Sequence, residues 1–165
     1  MTEKTNKKDR AVTGFIIVVV ALLIGFNLFS YFGASLMLPG KPLPFVSGID
    51  PENGRLNTIN LSEGTYLINF WATWCGACVS EIGELNRISQ KVTLYGVMKK
   101  PFKKEIFDAV TPEFSNVISE EDFFNDNYIS VIPTTVLVKD GVIMRVHTGQ
   151  ITAKIVDEWI SKDNE

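Results

Sequence analysis

The stretch FWATWCGACVSE, residues Phe70–Glu81, holds both cysteines of the 165-residue chain. Cys75 and Cys78 follow a short apolar run, YLINF at residues 66–70, that is typical of a central β-strand. From Cys75 onward, apolar residues recur at spacings of four and three, which predicts one buried face of a helix that ends near Ser89. We therefore expect the cysteine pair at the junction between a strand and a helix.

The pattern of apolar residues on either side predicts alternating strands and helices. RLNTINL, residues 55–61, alternates in the manner of a half-buried strand. The later predicted elements are a strand at 92–97, a helix at 101–110, a short strand at 114–118, a short helix at 120–128, a hairpin turning at Asp140-Gly141, and a last helix at 151–160. These elements predict a mixed sheet flanked by helices, in which residues 66–70 pair in parallel with residues 92–97.

The N-terminal part has the composition of a membrane anchor and a tether. Residues 1–10 contain four Lys or Arg side chains, and residues 11–32 form an uncharged apolar run of the length that crosses a bilayer, about 20 residues. The run exceeds the roughly 7–15 residues of a cleavable export signal, so an uncleaved anchor is favoured over a cleaved signal or a buried helix. Residues 33–54 are expected to be a tether and a loop that leads into a folded domain at 55–165.

The charge around the apolar run predicts its orientation. Basic residues precede the run and none directly follows it, which places residues 1–10 in the cytoplasm and the folded domain outside the membrane. In a bacterial cell, this topology corresponds to a single-pass protein of the inner membrane with a periplasmic domain. Such a compartment is oxidising, so a pair of thiols there calls for an explanation.

Composition argues against several classes of function. The net charge is −3 and Lys and Arg are thinly spread beyond the N-terminus, so binding to nucleic acid is not expected. A structural zinc site needs four ligands, whereas the chain has two cysteines and one histidine, His147. A disulfide that closes so short a loop would constrain the unfolded chain little. Zinc binding and a structural disulfide thus remain minor alternatives to a redox pair, and no metal, nucleotide or flavin is implied.

The helix start favours redox chemistry at the cysteines. Unpaired N–H groups and the helix dipole stabilise an anion at that position, which lowers the pKa of a thiol below its usual range. We therefore expect Cys75 to be the attacking thiolate. Cys78, one turn further on, would then resolve the mixed disulfide.

NFWATWCGAC (69–78), VIPT (131–134) and KDG (139–141) together resemble the membrane-anchored, extracytoplasmic thioredoxin-like proteins of the TlpA, ResA and DsbE type. Within that group, the short length, the N-terminal anchor and the segment SVIPTTVLVKDGVI (130–143) resemble the thioredoxin-like protein of the suppressor-of-copper-sensitivity set. The resemblance implies a thioredoxin fold and thiol:disulfide oxidoreductase activity. It also implies that Pro133 has a cis peptide bond facing the cysteines, and that the Ile132 backbone pairs with the substrate. The alternative is a proline that merely opens an edge strand.

The resemblance draws attention to three further residues. In the ResA-type proteins, an acidic residue at the place of Glu81 is implicated in tuning the thiols, and a partly buried Glu81 would accept the proton of Cys78. An exposed surface glutamate is the alternative. Asn69 stands where cytoplasmic thioredoxins carry a buried aspartate. Trp74 is expected to contribute to the exposed surface that binds substrate, with a plain core role as the alternative.

The direction of electron flow is predicted from the Gly-Ala between the cysteines. No histidine is available there to stabilise the thiolate, which favours a less oxidising couple and hence a reductant. Such a reductant would itself need reduction by a membrane thiol transporter of the DsbD type. The resemblance implies protein thiols or disulfides as substrates, such as the haem-binding cysteines of apocytochrome c or the oxidised cysteines of stress and copper-handling proteins. A disulfide-introducing oxidase and a non-enzymatic binding module that uses Trp74 and Ile132 remain as alternatives.

Overall fold

The computed structural model describes five residues near the N-terminus, and residues 39–127 and 129–163. The chain divides into two units, Met1–Leu36 and Met37–Glu165. In the first unit, the five described residues are helical and their side chains are exposed: Ile16, Ile17, Val19, Val20 and Leu23. The rest of the predicted membrane segment, residues 11–32, lies outside the described residues. No helix formed by the described residues has the length and apolar content that a membrane span requires.

The described residues of the second unit form seven strands and four helices. In chain order they are β1 (Phe45–Ile49), β2 (Leu56–Asn60), β3 (Thr65–Trp71), α1 (Gly76–Ser89), β4 (Leu94–Lys99), α2 (Lys104–Val110), β5 (Ser115–Ser119), α3 (Glu121–Asp126), β6 (Thr134–Lys139), β7 (Val142–Thr148) and α4 (Ala153–Asp163). The strands form one sheet in the order β2-β1-β5-β4-β3-β6-β7. β4 pairs in parallel with β3 and β5, whereas the other neighbours are antiparallel.

The elements predicted around the cysteines are confirmed. Leu67 of β3 lies opposite Leu94 of β4 in a parallel register, and α1 ends at Ser89. The hairpin between β6 and β7 turns at Asp140 and Gly141, with φ angles of 49° and 75°. A turn with two positive φ angles matches the right-handed twist of the strands that it joins, and Asp-Gly is one of the pairs that adopt it readily. These local signals therefore predicted the mixed sheet correctly.

The prediction of a loop over residues 33–54 is wrong for residues 45–49, which form β1. This strand pairs with β2 along its whole length and meets β5 at the single pair Ile49 and Ile118. Gly48 interrupts its apolar pattern, because a side chain at that position would collide with the backbone of Ile118. The sequence pattern therefore did not predict this strand, because close contact with Ile118 requires a glycine where an apolar side chain would mark a buried position.

Hydrophobic residues pack against both faces of the sheet. Ile68 and Phe70 of β3 belong to one cluster, which includes Phe124 of α3. The alternate residues Leu67 and Trp71 belong to the other cluster, with side chains from α1, α2 and α4. The buried face of α1 consists of Cys78, Glu81, Ile82, Leu85 and Ile88. The predicted apolar face of this helix is therefore confirmed, and it contains a carboxylate.

Candidate active site

Cys75 is the N-cap residue of α1 and forms a disulfide with Cys78. The backbone N–H of Cys78 donates a hydrogen bond to the Cys75 sulfur over 3.2 Å. Cys75 is half-buried, whereas Cys78 is 0% exposed. In the reduced state, the same N–H and the helix dipole would stabilise a thiolate at Cys75. Of the two sulfurs, Cys75 is therefore the one that a macromolecular substrate can reach.

The loop before β6 lies against the disulfide. The Ile132–Pro133 peptide bond is cis, as the resemblance implied. The carbonyl oxygen of Ile132 lies 3.9 Å from the Cys75 sulfur. Because β6 pairs with β3 on one side and β7 on the other, the alternative of a proline that opens an edge strand is wrong. The geometry brings the Ile132 backbone to the attacking sulfur, and its pairing with a substrate stays a prediction.

The two tryptophans of the motif have different environments. Trp74 is 45% exposed beside Cys75, and its indole N–H donates to the carbonyl oxygen of Lys100 over 3.3 Å. Trp71 is fully buried, and its indole N–H donates to the side-chain oxygen of Asn116 over 3.0 Å. A plain core role therefore fits Trp71 but does not fit Trp74. Contact between Trp74 and a substrate stays a prediction.

A buried polar cluster lies one helical turn beyond Cys78. Glu81 is 3% exposed, and its Oε1 accepts a hydrogen bond from Nδ2 of Asn69 over 3.0 Å. Its Oε2 accepts a hydrogen bond from the backbone N–H of Ile151 over 3.0 Å. Nδ2 of Asn69 also donates to the hydroxyl of Thr135 over 3.0 Å. The carboxyl group is thus held between β3 and the segment that precedes α4, and Asn69 connects it to β6.

Burial raises the pKa of Glu81, and the hydrogen bonds from Asn69 and Ile151 only partly oppose this effect. The alternative of an exposed surface glutamate is therefore wrong. A carboxyl group with a raised pKa exchanges a proton more readily near neutral pH than an ordinary one. Glu81 and Cys78 share the buried face of α1, and transfer of the Cys78 proton to this carboxyl group stays a prediction.

Sequence reasoning missed two partners of Glu81 and Asn69. Thr135 lies directly opposite Asn69 in the pairing of β3 with β6. The register of these two strands could therefore have predicted the contact between the two side chains. The backbone N–H of Ile151, 70 residues from Glu81, has no such signal, because only the packing of the chain brings it there.

The cysteines and the histidine, which are the usual ligand types of a structural zinc ion, have other partners in this structure. Both cysteine sulfurs are joined to each other, and Nε2 of His147 lies 3.0 Å from the carbonyl oxygen of Gln150. Within residues 39–127 and 129–163 and the five described N-terminal residues, no three His, Cys, Asp or Glu side chains are grouped so that they could hold a metal ion. The chemistry that these residues support is the exchange of thiols and disulfides.

The chain is similar to known thioredoxin-like proteins that are named thiol:disulfide oxidoreductases. The family model described as thioredoxin matches residues 55–162. The thiol-disulfide oxidoreductase ResA of Halalkalibacterium halodurans is 28% identical over 163 residues, which cover 88% of this chain and 89% of the relative. The thiol:disulfide interchange protein DsbE of Pasteurella multocida is 30% identical over 133 residues, which cover 74% and 73% of the two chains.

Solved structures show the same fold at lower sequence identity. A putative DsbE from Chlorobium tepidum superposes with a TM-score of 0.63 at 17% identity, over 77% of this chain and 98% of the other. The thioredoxin domain of a thiol-disulfide oxidoreductase from Bacteroides vulgatus superposes with a TM-score of 0.61 at 23% identity, over 77% and 98%. These two likenesses bear on the arrangement of the sheet and helices.

Proposed function

Because the chain belongs to the thioredoxin family and is a thiol:disulfide oxidoreductase, we propose that it reduces protein disulfides outside the cytoplasmic membrane. The observation that carries this proposal is the unequal exposure of the two sulfurs. Cys75 is accessible at the N-cap of α1, and Cys78 is fully buried behind it. This is the arrangement that an attacking thiolate and a resolving thiol require.

The reaction proceeds through one mixed disulfide. The Cys75 thiolate attacks one sulfur of the target disulfide, so that a bond forms between Cys75 and the target while the other target sulfur leaves as a thiolate and takes up a proton. Cys78 then gives its proton to Glu81 and attacks the sulfur of Cys75. The internal disulfide forms, the second target sulfur leaves as a thiolate, and the target has gained two electrons. The structure corresponds to the protein after this step, with Cys75 and Cys78 oxidised.

The direction of electron flow is supported by what surrounds the N-cap. The Cys75 sulfur accepts one backbone hydrogen bond, and neither Gly76 nor Ala77 has a polar side chain to add another. A thiolate with less stabilisation corresponds to a less oxidising couple. A measured potential close to that of a strong oxidase, about −120 mV, would contradict the assignment and favour the introduction of disulfides.

The location and the electron donor belong to the same proposal. The uncharged run at residues 11–32 and the basic residues before it support a single-pass anchor in the inner membrane, with the catalytic domain in the periplasm. A reductant in that compartment needs electrons from the cytoplasm, so the donor is a membrane thiol transporter of the DsbD type. By resemblance, the targets are haem-binding cysteines of apocytochrome c, or oxidised cysteines in stress or copper-handling proteins.

Trapping the mixed disulfide tests this function. A Cys78→Ser chain should retain its target covalently on Cys75, and mass spectrometry of the adduct would identify the target. The matched control is Cys75→Ser, which should trap nothing because the remaining sulfur is buried. A Cys75→Ser chain with full biological activity would refute the redox function and favour a binding module.

A single-turnover measurement tests the role of Glu81. In a Glu81→Gln chain, we expect resolution by Cys78 to slow by about 10²-fold or more, which is the usual contribution of a positioned acid or base. The formation of the mixed disulfide by Cys75 should change much less. Equal effects on both steps would show that Glu81 does not act on the proton of Cys78.

A further inference from the structure

A pocket of about 590 Å³ lies beside Thr73 and Trp74, the residues that directly precede Cys75. It is lined by Ile49, Lys100, Pro101, Phe102, Ile118 and Glu121. We propose that this pocket binds an apolar side chain of the polypeptide whose disulfide Cys75 attacks. The inference rests on the proposed function and adds a determinant of substrate choice to it.

Two hydrogen bonds join the pocket to the residues that precede the disulfide. The indole N–H of Trp74 donates to the carbonyl oxygen of Lys100, and the backbone N–H of Lys103 donates to the hydroxyl of Thr73 over 2.9 Å. The segment 100–103 therefore lies beside the loop that leads into Cys75. The pocket is therefore within reach of a polypeptide that is held at the Cys75 sulfur.

The charges at the pocket favour an uncharged occupant. Lys100 forms an ion pair with Glu120 at 2.6 Å, and Glu121 forms one with Lys99 at 2.9 Å. Each of the two charged lining residues is thus neutralised by a neighbour outside the lining. A charged side chain that entered the pocket would find no unpaired opposite charge there, whereas an apolar side chain would bury surface against the isoleucines, the proline and the phenylalanine.

The chemistry of the lining argues for a peptide and against a small polar ligand. Sites for small molecules orient the ligand with a few precisely placed polar groups, and the two polar side chains of this lining are both engaged in ion pairs with neighbouring residues. A peptide needs no such groups, because its bond to Cys75 orients it. That bond also keeps the apolar side chain at a high local concentration next to the pocket.

Ile49 and Leu56 provide a matched pair of variants for the test. They face each other across β1 and β2, and they are 36% and 73% exposed. Ile49 lines the pocket and Leu56 does not. Ile49→Ser and Leu56→Ser therefore remove similar side chains from one hairpin, and only the first alters the pocket.

The assay measures the reduction of disulfide peptides by the full-length chain in detergent, with a small dithiol in excess that reduces the Cys75–Cys78 disulfide after each turnover. The peptides share a Gly/Ser sequence in which a single leucine is moved through the positions around the cysteine, and glutathione disulfide serves as the substrate without such a side chain. We expect the wild type to prefer one or two leucine positions over the peptide without leucine by about tenfold in kcat/KM, through KM. Ile49→Ser should remove this preference, and Leu56→Ser should retain it.

The possible failures are distinct. A wild type that reduces every peptide at the same rate overturns the inference, whatever the variants do. So does an Ile49→Ser chain that keeps the leucine preference, or one whose rates fall equally with leucine peptides and with glutathione disulfide. A wild type that reduces neither peptides nor glutathione disulfide would instead refute the proposed reductase function.

Discussion

Substitution of Glu81 by glutamine and by leucine separates the hydrogen bonds of this buried side chain from its charge. In the wild type, the carboxyl group accepts one hydrogen bond from Asn69 and one from the backbone of Ile151. The Oδ1 atom of Asn69 is buried without a hydrogen-bond partner among the described residues. This unused acceptor determines how the cluster responds to the two substitutions.

Glutamine can retain both hydrogen bonds. Its side-chain oxygen accepts from the N–H of Ile151, and its amide N–H donates to Oδ1 of Asn69 once the Asn69 amide turns over. The hydroxyl of Thr135 then donates a hydrogen bond to Oδ1 of Asn69. Nδ2 of Asn69 moves to the position that Oδ1 occupies in the wild type, where it has no partner. Since the number of hydrogen bonds is unchanged, we expect Glu81→Gln to cost less than about 1 kcal/mol at low pH.

Leucine leaves two donors without their acceptor. The backbone N–H of Ile151 loses its acceptor. Nδ2 of Asn69 loses its hydrogen bond to residue 81 and keeps the one to Thr135. Each unsatisfied buried group costs about 1–3 kcal/mol, so Glu81→Leu should lower the free energy of unfolding by about 2–6 kcal/mol. This is a large part of the roughly 5–15 kcal/mol that stabilises a typical domain.

The charge of Glu81 appears in the pH dependence of stability. Because the pKa of Glu81 is raised on folding, the native state binds more protons than the unfolded state between the unfolded and folded pKa values. The stabilisation from this group is complete below the unfolded pKa, and it is lost as the pH rises through the folded pKa. Each tenfold change in the acid constant corresponds to about 1.4 kcal/mol. The stability of the wild type relative to Glu81→Gln should therefore fall as the pH is raised from acidic to alkaline values, through the raised pKa of Glu81.

Denaturation by guanidinium chloride, followed by far-ultraviolet circular dichroism with the disulfide intact, measures these differences. Wild type, Glu81→Gln and Glu81→Leu are compared at the two ends of this pH range. If glutamine were as destabilising as leucine at low pH, the unused oxygen of Asn69 would not provide the alternative hydrogen bond. If wild type and Glu81→Gln kept a constant difference in stability across the range, the raised pKa would be refuted.

Three further substitutions test the packing and the charges of the fold. Gly83→Ala, at an exposed position of α1 with open space for a methyl group, should stabilise the protein by about 0.5–1 kcal/mol in denaturant unfolding, and a lower midpoint would contradict this. Gly96→Ala should destabilise it by about 1–3 kcal/mol, because the new methyl group would collide with the side-chain oxygen of Asn116; a thermal midpoint equal to that of the wild type would refute this packing. Asn69→Asp places a second carboxyl group against Glu81, so the pair should hold a proton at higher pH and stability should decline more steeply with rising pH than in the wild type. Parallel pH profiles of this variant and the wild type would contradict the shared site.

Much of the fold was predictable because its signals are local. The apolar run of β3, the four-and-three spacing of α1 and the Asp140-Gly141 turn depend on backbone geometry and on residues a few positions apart. The Cys75 and Cys78 pair lies at the predicted junction for the same reason. These features follow from the periods of strands and helices, which neighbouring residues determine.

The sequence by itself therefore determined the order of most elements and the position of the cysteine pair. Only the tertiary structure decided the pairing of β1, the burial of Glu81 and the presence of the pocket. The physical reason is that the residues in contact are far apart in the sequence. Ile49 meets Ile118, Glu81 meets Ile151, and each contact joins residues about 70 positions apart. No local period encodes such contacts, since they exist only after the sheet has brought distant segments of the chain together.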